Sequence, residues 1–242
     1  MLPGAITRLY VLDFGTFDVG PGKRIIGIPG FLLETDQGAR ILFDTGFPPA
    51  YATDPGIAAR DGLPRFGHLT QFTARQTATG QLALLNLTPA DIDLVILSHG
   101  HIDHVGSLPL FACPIVMTAR ERADDRPSYF GTARPMIWPD ATYRLIDRDT
   151  DICTGLTLLP TPGHTPGHLS ALVTLPQTGR VIIAADAINR ASEPAENFTD
   201  ADDPVAARIS ADRLLAMQPD LLIYGHDPAQ WPALRKAPAS YG

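Results

Sequence analysis

The segment DLVILSHGHIDHVG, residues 93–106, constrains any fold of this chain more than any other stretch. An apolar strand runs without a break into three histidines and an aspartate within six positions, and Gly106 closes the group. Only seven histidines occur in 242 residues, and three of them fall here. His99 and His101 are two apart, so no helix face carries both. In extended backbone they point the same way. Asp103 and His104 follow where the chain turns toward a helix. Neutral imidazole and carboxylate together suit zinc and similar divalent ions. A single histidine at such a place reads as part of a solvated loop. Three with an aspartate, behind a buried strand, read as a metal site.

Three more segments end apolar strands in the same residue types. In LLPTPGHTPGHLS (158–170), prolines and glycines hold His164 and His168 in a rigid turn, one as a ligand and the other as a support. Asp186 follows VIIAA; a carboxylate there can bridge two metals or be an ordinary strand-end aspartate. His226 follows an apolar strand in IYGHD.

The N-terminal third predicts strands at 8–14, 30–35 and 39–45, the last two joined by a DQG turn. Residues 46–70, rich in proline and glycine, predict a long loop, followed by a helix over about 71–86. Thr88-Pro89 marks a helix start. Strands are expected at 93–98, 114–119, 142–147, 156–161, 169–175 and 180–186, with the last strand and its exit loop at 221–227, and a helix at 204–217. TDQGARILFDTG (35–46) is echoed by PQTGRVIIAADA (176–187), which suggests two sheets built alike and packed face to face.

Apolar residues form 45% of the chain, enough for a large core, and no linker divides it, so one domain over 1–242 is expected. A net charge of −7 argues against a nucleic-acid surface. No apolar run approaches the roughly 18 residues of a membrane span. The opening residues lack the pattern of a secretory signal, so a cytoplasmic protein acting on a small molecule is expected, with a homodimer compatible with the sequence. Cys113 and Cys153 form no CxxC motif and read as two buried free thiols, with a disulfide left open.

SHGHIDH, then TPGHTPGH, then the aspartate after VIIAA, then YGHD, in that order, resemble the metallo-β-lactamase superfamily over nearly the whole chain. The resemblance implies an α/β fold, an αββα sandwich of two mixed β-sheets flanked by helices. It implies that His99, His101 and His164 hold one divalent ion and that Asp103, His104 and His226 hold a second. Asp186 would bridge them. Zinc is the expected metal, with iron, manganese or cobalt as alternatives. His168 is then left to support the site, and Asp44 in FDTG matches an aspartate that orients a ligand histidine.

Seven intact ligand positions favour a hydrolase in which a hydroxide shared by the metals attacks and Asp103 relays a proton to the leaving oxygen. Diiron flavoproteins carry Glu at the position of His101, and neither cysteine lies near a motif, as a cysteine-ligand β-lactamase would need. Length, motif spacing and the short tail after YGHD are similar to N-acyl-homoserine lactone lactonases and pyridoxolactonases, which implies lactone opening. Hydrolysis of phosphoesters, sulfate esters or thioesters is the alternative, and a mono-iron sulfur dioxygenase a further one. Those lactonases carry Tyr three residues after the bridging aspartate; here Asn189 stands there as the candidate donor to the substrate carbonyl. They carry bulky residues where this chain has Gly100 and Ile102. Pocket walls are expected from 46–70, 120–141 and 188–203. The aromatic candidates are Tyr51, Phe66 and Phe72, then Tyr129, Phe130 and Trp138, then Phe198; together they suggest an apolar pocket.

Overall fold

The computed structural model describes residues 1–20, 24–127 and 134–242. Seven strands form the first sheet: β1 (Ile6–Asp18), β2 (Ile25–Thr35), β3 (Arg40–Phe43), β4 (His68–Gln71), β5 (Leu94–Ile96), β6 (Ile115–Thr118) and β7 (Tyr143–Ile146). Their spatial order is β4-β1-β2-β3-β5-β6-β7. The second sheet holds β8 (Thr150–Cys153), β9 (Leu156–Pro160), β10 (Leu169–Leu175), β11 (Gly179–Ala185) and β12 (Leu221–Tyr224), in the order β12-β11-β10-β9-β8. Both sheets are mixed. β1, β2 and β3 pair antiparallel and β3, β5, β6 and β7 parallel; in the second sheet only β11 and β12 run parallel.

Alternation along the strands assigns each side chain to a layer, because successive residues point to opposite faces. Leu33, Ile41, Phe43, Leu94 and Ile96 of the first sheet meet Leu158, Ala171, Val173, Val181 and Ile183 of the second in one core between the sheets. Their neighbours Leu32, Leu42, Val95 and Leu97 face the other way and pack under Tyr51, Ala58, Ala78 and Leu82. Those come from α1 (Ala50–Thr53), α2 (Pro55–Arg60) and α3 (Ala78–Ala83). On the far side, Ile182 and Ala184 pack against Ala207, Ala211 and Leu214, which belong to the longest helix. α4 (Ile102–Val105) and α5 (Ala119–Arg122) precede it, and α6 spans Pro204–Ala216. The layers are therefore helix, sheet, sheet, helix, as the sequence predicts. The echoed segments are β2–β3 and β10–β11, one antiparallel hairpin in each sheet.

Several local expectations need correction. The stretch 46–70 is not an open loop: α1 and α2 occupy it, with Asp54 capping α2 by accepting from Gly56 N at 2.8 Å. The helix expected over 71–86 shrinks to α3, because Thr73 and Thr77 are extended and only a short 3-10 turn, Ala74–Gln76, lies between them. β4 and β8 were not anticipated; HLTQ and TDIC are short and half polar. Both cysteines are free thiols, Cys153 buried but Cys113 only half-buried.

Candidate metal centre

Four strand ends deliver the histidines and aspartates to one place. β5 ends at Ile96, and the chain bends at Ser98 and Gly100, on either side of His99, before His101 leads into α4. That turn is tied to the turn after β3: Thr45 N and Oγ1 donate to His104 O at 2.6 and 3.0 Å, and Gly106 N donates to Gly46 O at 2.8 Å. The PGHTPGH turn leads into β10, where Leu169 N donates to Ser98 O. Gly163 sits at φ 144° with its α-carbon against α6; a Cβ there would lie 2.3 Å from Ala207, so only glycine lets the turn carrying His164 seat itself.

Every histidine and aspartate singled out as a ligand from the sequence converges. Donor atoms of His99, His101, His164 and Asp186 lie within 4.8 Å of one another, and so do those of Asp103, His104 and His226. Asp186 joins the two groups. Its Oδ2 lies 3.2 Å from His164 Nε2 and 3.9 Å from His99 Nε2. Its Oδ1 lies 3.3 Å from His226 Nε2 and 3.6 Å from His104 Nε2. His101 Nδ1 and His164 Nε2 are 3.2 Å apart, and Asp103 Oδ2 is 3.5 Å from both His104 Nε2 and His226 Nε2. Ligands at about 2.0–2.1 Å around a tetrahedral ion are separated by about 3.3 Å. The spacing suits donors arranged around cations.

Outer hydrogen bonds fix which nitrogen each ring turns inward. His104 Nδ1 donates to Asp44 Oδ2 at 2.8 Å, and His226 Nδ1 donates to Gly27 O at 2.9 Å. Ser98 Oγ gives its proton to Asp44 Oδ2 at 2.7 Å, so the proton between it and His99 Nδ1 (3.0 Å) belongs to the ring. In each case Nε2 keeps its lone pair for the interior. His99 Nε2, His104 Nε2, His226 Nε2, Asp103 Oδ1 and Asp186 Oδ1 are buried without a hydrogen-bond partner. Buried polar atoms rarely go unpaired, and five orphans converging on one point is the chemistry of a ligand set. The residues present therefore fit a pair of divalent ions.

Titration separates the two groups. Burial pushes His99, His101 and His164 down, His101 to about 3, so these rings are neutral and ready to donate lone pairs. Burial acts the same way on His104 and His226. There the carboxylates win: Asp103, Asp186 and Asp44 raise His104 well above the ordinary range, and Asp186 and Asp103 raise His226. Burial would raise Asp103, yet the adjoining His104 and His226 hold its carboxyl low. The second group thus calls for positive charge, which a proton or a cation can supply.

His168 stands outside both groups. Its Nε2 accepts from Asp186 N at 3.1 Å, and a chain of hydroxyls fixes the opposite side. Ser170 Oγ donates to Ala184 O at 2.8 Å, Thr161 Oγ1 to Ser170 Oγ at 2.8 Å, and His168 Nδ1 to Thr161 Oγ1 at 2.9 Å. Asn189 borders a cavity that reaches the centre. Its amide donates to Glu193 Oε1 at 3.2 Å and Asp186 O at 3.4 Å, which engages both N–H groups in the turn after β11.

Glu121 gave no signal in the sequence, where TARER reads as an ordinary charged helix. It is buried, accepts from Gly100 N at 2.7 Å through Oε1, and accepts from Thr165 Oγ1 at 2.8 Å and Gly167 N at 3.0 Å through Oε2. One carboxylate thereby clamps the HGH segment to the PGHTPGH turn.

A cavity of about 610 Å³ opens onto the centre at His164 and Asp186. Phe66 is the one expected aromatic in its wall. Tyr51 and Phe72 border a separate cavity of about 410 Å³, and Trp138 and Phe198 are buried in cores. Tyr129 and Phe130 lie outside the described residues. The apolar wall comes from Phe17, Val19 and Ile26 of the β1–β2 hairpin, and the rest is polar, with Arg24, Arg190, Glu196 and Asp200. The expectation of an apolar pocket is therefore half right. Ile102 is fully buried in the outer core of the first sheet and does not line the cavity.

The family model described as the metallo-beta-lactamase superfamily matches residues 29–226. An N-acyl homoserine lactonase of Bacillus thuringiensis is 33% identical over 232 residues, 90% of this chain and 88% of the relative. The structure of an N-acyl homoserine lactone hydrolase with the product N-hexanoyl-L-homoserine at its catalytic metal center is similar at TM-score 0.82 and 28% identity, covering 98% of this chain and 100% of that one. A B. thuringiensis AiiA variant with N-decanoyl-L-homoserine at its active site is similar at TM-score 0.83 and 27% identity, with coverage of 98% and 100%. This chain belongs to the metallo-β-lactamase superfamily. It is a metal-dependent hydrolase.

Proposed function

We propose that this enzyme opens a lactone ring, that of an N-acyl-homoserine lactone or a close analogue, with two divalent ions held by the seven residues above. His99, His101 and His164 would hold one ion, Asp103, His104 and His226 the other, and Asp186 both. The observation that carries this reading is the division of Asp186, one oxygen facing each group. Nitrogen and oxygen donors at these spacings favour zinc. When bound, such a pair lowers the pKa of water and polarises a carbonyl oxygen.

The chain's own residues supply the rest. Asp44, Gly27 O and Ser98 hold His104, His226 and His99 in their tautomers. Asp103, whose Oδ1 is buried and unpartnered, would take up a proton and release it to the ring oxygen as that oxygen leaves. The cavity admits an arm beyond the ring along Phe17, Val19, Ile26 and Phe66. The relatives' names, as lactonases, and the bound homoserine products in similar structures support the substrate class.

The test is a panel on the metal-loaded protein: N-hexanoyl-homoserine lactone, an aryl phosphodiester, an aryl sulfate and a thioester, followed by proton release or chromophore, with metal content measured alongside. Lactone opening with both ions present is expected. Turnover of a phosphoester, sulfate ester or thioester with no lactone opened would overturn the substrate class and leave the hydrolase.

A further inference from the structure

Among the described residues, seven buried side-chain nitrogen and oxygen atoms lack a hydrogen-bond partner. Five belong to the metal centre. The other two, Arg24 Nε and Arg190 Nη1, sit on residues lining the same cavity. Buried N–H groups rarely lack an acceptor, and one that does on a cavity wall is a candidate donor to a ligand. The geometry of Arg190 shows how its donor is kept open. Glu196 takes one edge of the guanidinium, accepting from Nε at 3.4 Å and from Nη2. On the other edge Nη1 comes no nearer than 3.9 Å to Glu193 Oε1 and 3.8 Å to Asp200 Oδ2, attraction without a hydrogen bond. Asp200 Oδ2 also stands 3.9 Å from Arg24 Nη2, so one carboxylate links the two arginines. The Arg190 side chain is only 12% exposed, which holds its fork in place.

We propose that Arg190, seconded by Arg24, is a specificity-determining donor that binds a neutral carbonyl oxygen on the substrate's arm, outside the lactone ring. This rests on the lactone-opening reading. The charge balance selects the acceptor. Two guanidiniums are surrounded by three carboxylates, Glu193, Glu196 and Asp200, so an anionic arm meets no net positive field. An amide carbonyl needs only a donor, and a charged donor binds it more strongly than a neutral one. Asn189 already donates its amide to Glu193 and to Asp186 O. The chemical class favoured is therefore an N-acylamino lactone over a plain alkyl lactone.

The experiment compares kcat and KM of the metal-loaded wild type, Arg190→Met, Arg190→Lys and Arg24→Met on two substrates. N-hexanoyl-homoserine lactone has the amide carbonyl; γ-decalactone keeps the ring and an alkyl arm without it. Arg190→Met is expected to lose about ten- to a hundredfold in kcat/KM on the amide substrate, mainly through KM, and less than about threefold on the other. Arg190→Lys should recover part of the loss, and Arg24→Met should show the same selective pattern with a smaller drop. Equal losses on both lactones, or no loss on the amide substrate, overturn the proposal. Arg24 is a third exposed and makes a single ion pair at 3.9 Å, so its variant folds even where loss of the Arg190–Glu196 contact lowers stability. A wild type that opens neither lactone refutes the lactone reading itself and this proposal with it. A wild type active on both, with unselective variants, refutes the proposal alone.

Discussion

The turn after β3 and the turn after β11 share a backbone device and differ in what their aspartates touch. At each, an apolar strand is broken by a non-glycine residue with positive φ: Asp44 at 63°, and Ala185 at 47° just before Asp186. Such backbone is strained and is kept where surrounding structure demands it. Asp44 is saturated. Its Oδ1 accepts from Ser98 N at 2.8 Å, and its Oδ2 accepts from Ser98 Oγ and His104 Nδ1. Asp186 is buried too, but its Oδ1 accepts no hydrogen bond at all. The same strand-end aspartate thus has both oxygens hydrogen-bonded in one sheet and one oxygen left open in the other. Neighbouring donors set the role.

The largest effect expected is from Asp186→Asn. An amide has one oxygen and cannot face both groups as a carboxylate does. Both ions should be lost on dialysis, and lactone kcat/KM should fall by more than about 10³-fold, since even one donor to a developing oxyanion is worth about 10²–10³. Metal analysis and the lactone assay check this. Full occupancy of both positions in the variant would erase the contrast between the two aspartates.

Asp44→Asn should cost less. His104 keeps its place in α4 but loses the acceptor that fixes its Nδ1 proton, and loss of such outer partners costs about 10–100-fold in metal affinity or activity. The loss should fall on the ion at Asp103, His104 and His226 and spare the other, which competition with a graded chelator resolves. Equal weakening at both positions would mean that Asp44 supports the whole fold of the centre.

His168→Ala sharpens the same comparison within one turn. His164→Ala removes a donor atom and should empty the first position. His168→Ala removes the acceptor for Asp186 N, leaving a buried N–H unpaired at about 1–3 kcal/mol of stability with both ions retained. The reverse outcome, read from metal content and a thermal midpoint, would show that the two histidines had been assigned the wrong way round.

The metal centre was legible in the sequence because its residues are announced by apolar strands that stop at histidine or aspartate, and strand alternation then fixes direction. The echo of 35–46 in 176–187 carried the two-sheet architecture for the same reason. The cavity was not legible. Phe17 and Ile26 lie in long strands, and alternation alone does not tell that the far end of the β1–β2 hairpin reaches the centre. Aromatics such as Tyr51 and Trp138 look identical in sequence to pocket residues, yet Trp138 packs into a core and Tyr51, on a short helix within 46–70, borders a cavity apart from the centre. Asn189 looked like a free donor, and only the turn geometry shows Glu193 taking its amide. Glu121 is invisible for a different reason: two of its three partners are backbone N–H groups, at Gly100 and Gly167, which no side-chain pattern reveals.

Glu121 also gives the smallest effect, one that depends on pH. Burial raises its carboxyl above the ordinary value of 4.5, outweighing the donors from Thr165, Gly100 and Gly167 that favour the charged form. A carboxyl raised in the folded state binds its proton more tightly there than in the unfolded chain. Its contribution to stability is then full below the unfolded pKa and is lost as pH rises through the folded one. Glu121→Gln removes the titration. It also adds a constant cost, because an amide presents N–H to one of the backbone donors that the carboxylate satisfied. In chelator-treated protein, where no metal competes with protons, the urea midpoint of wild type minus that of the variant should therefore fall as pH rises from about 4.5 toward neutrality, and then level. A difference that grows with pH would mean that the three donors outweigh burial, and that the clamp between the HGH segment and the PGHTPGH turn holds a fully charged carboxylate at every pH at which the enzyme is folded.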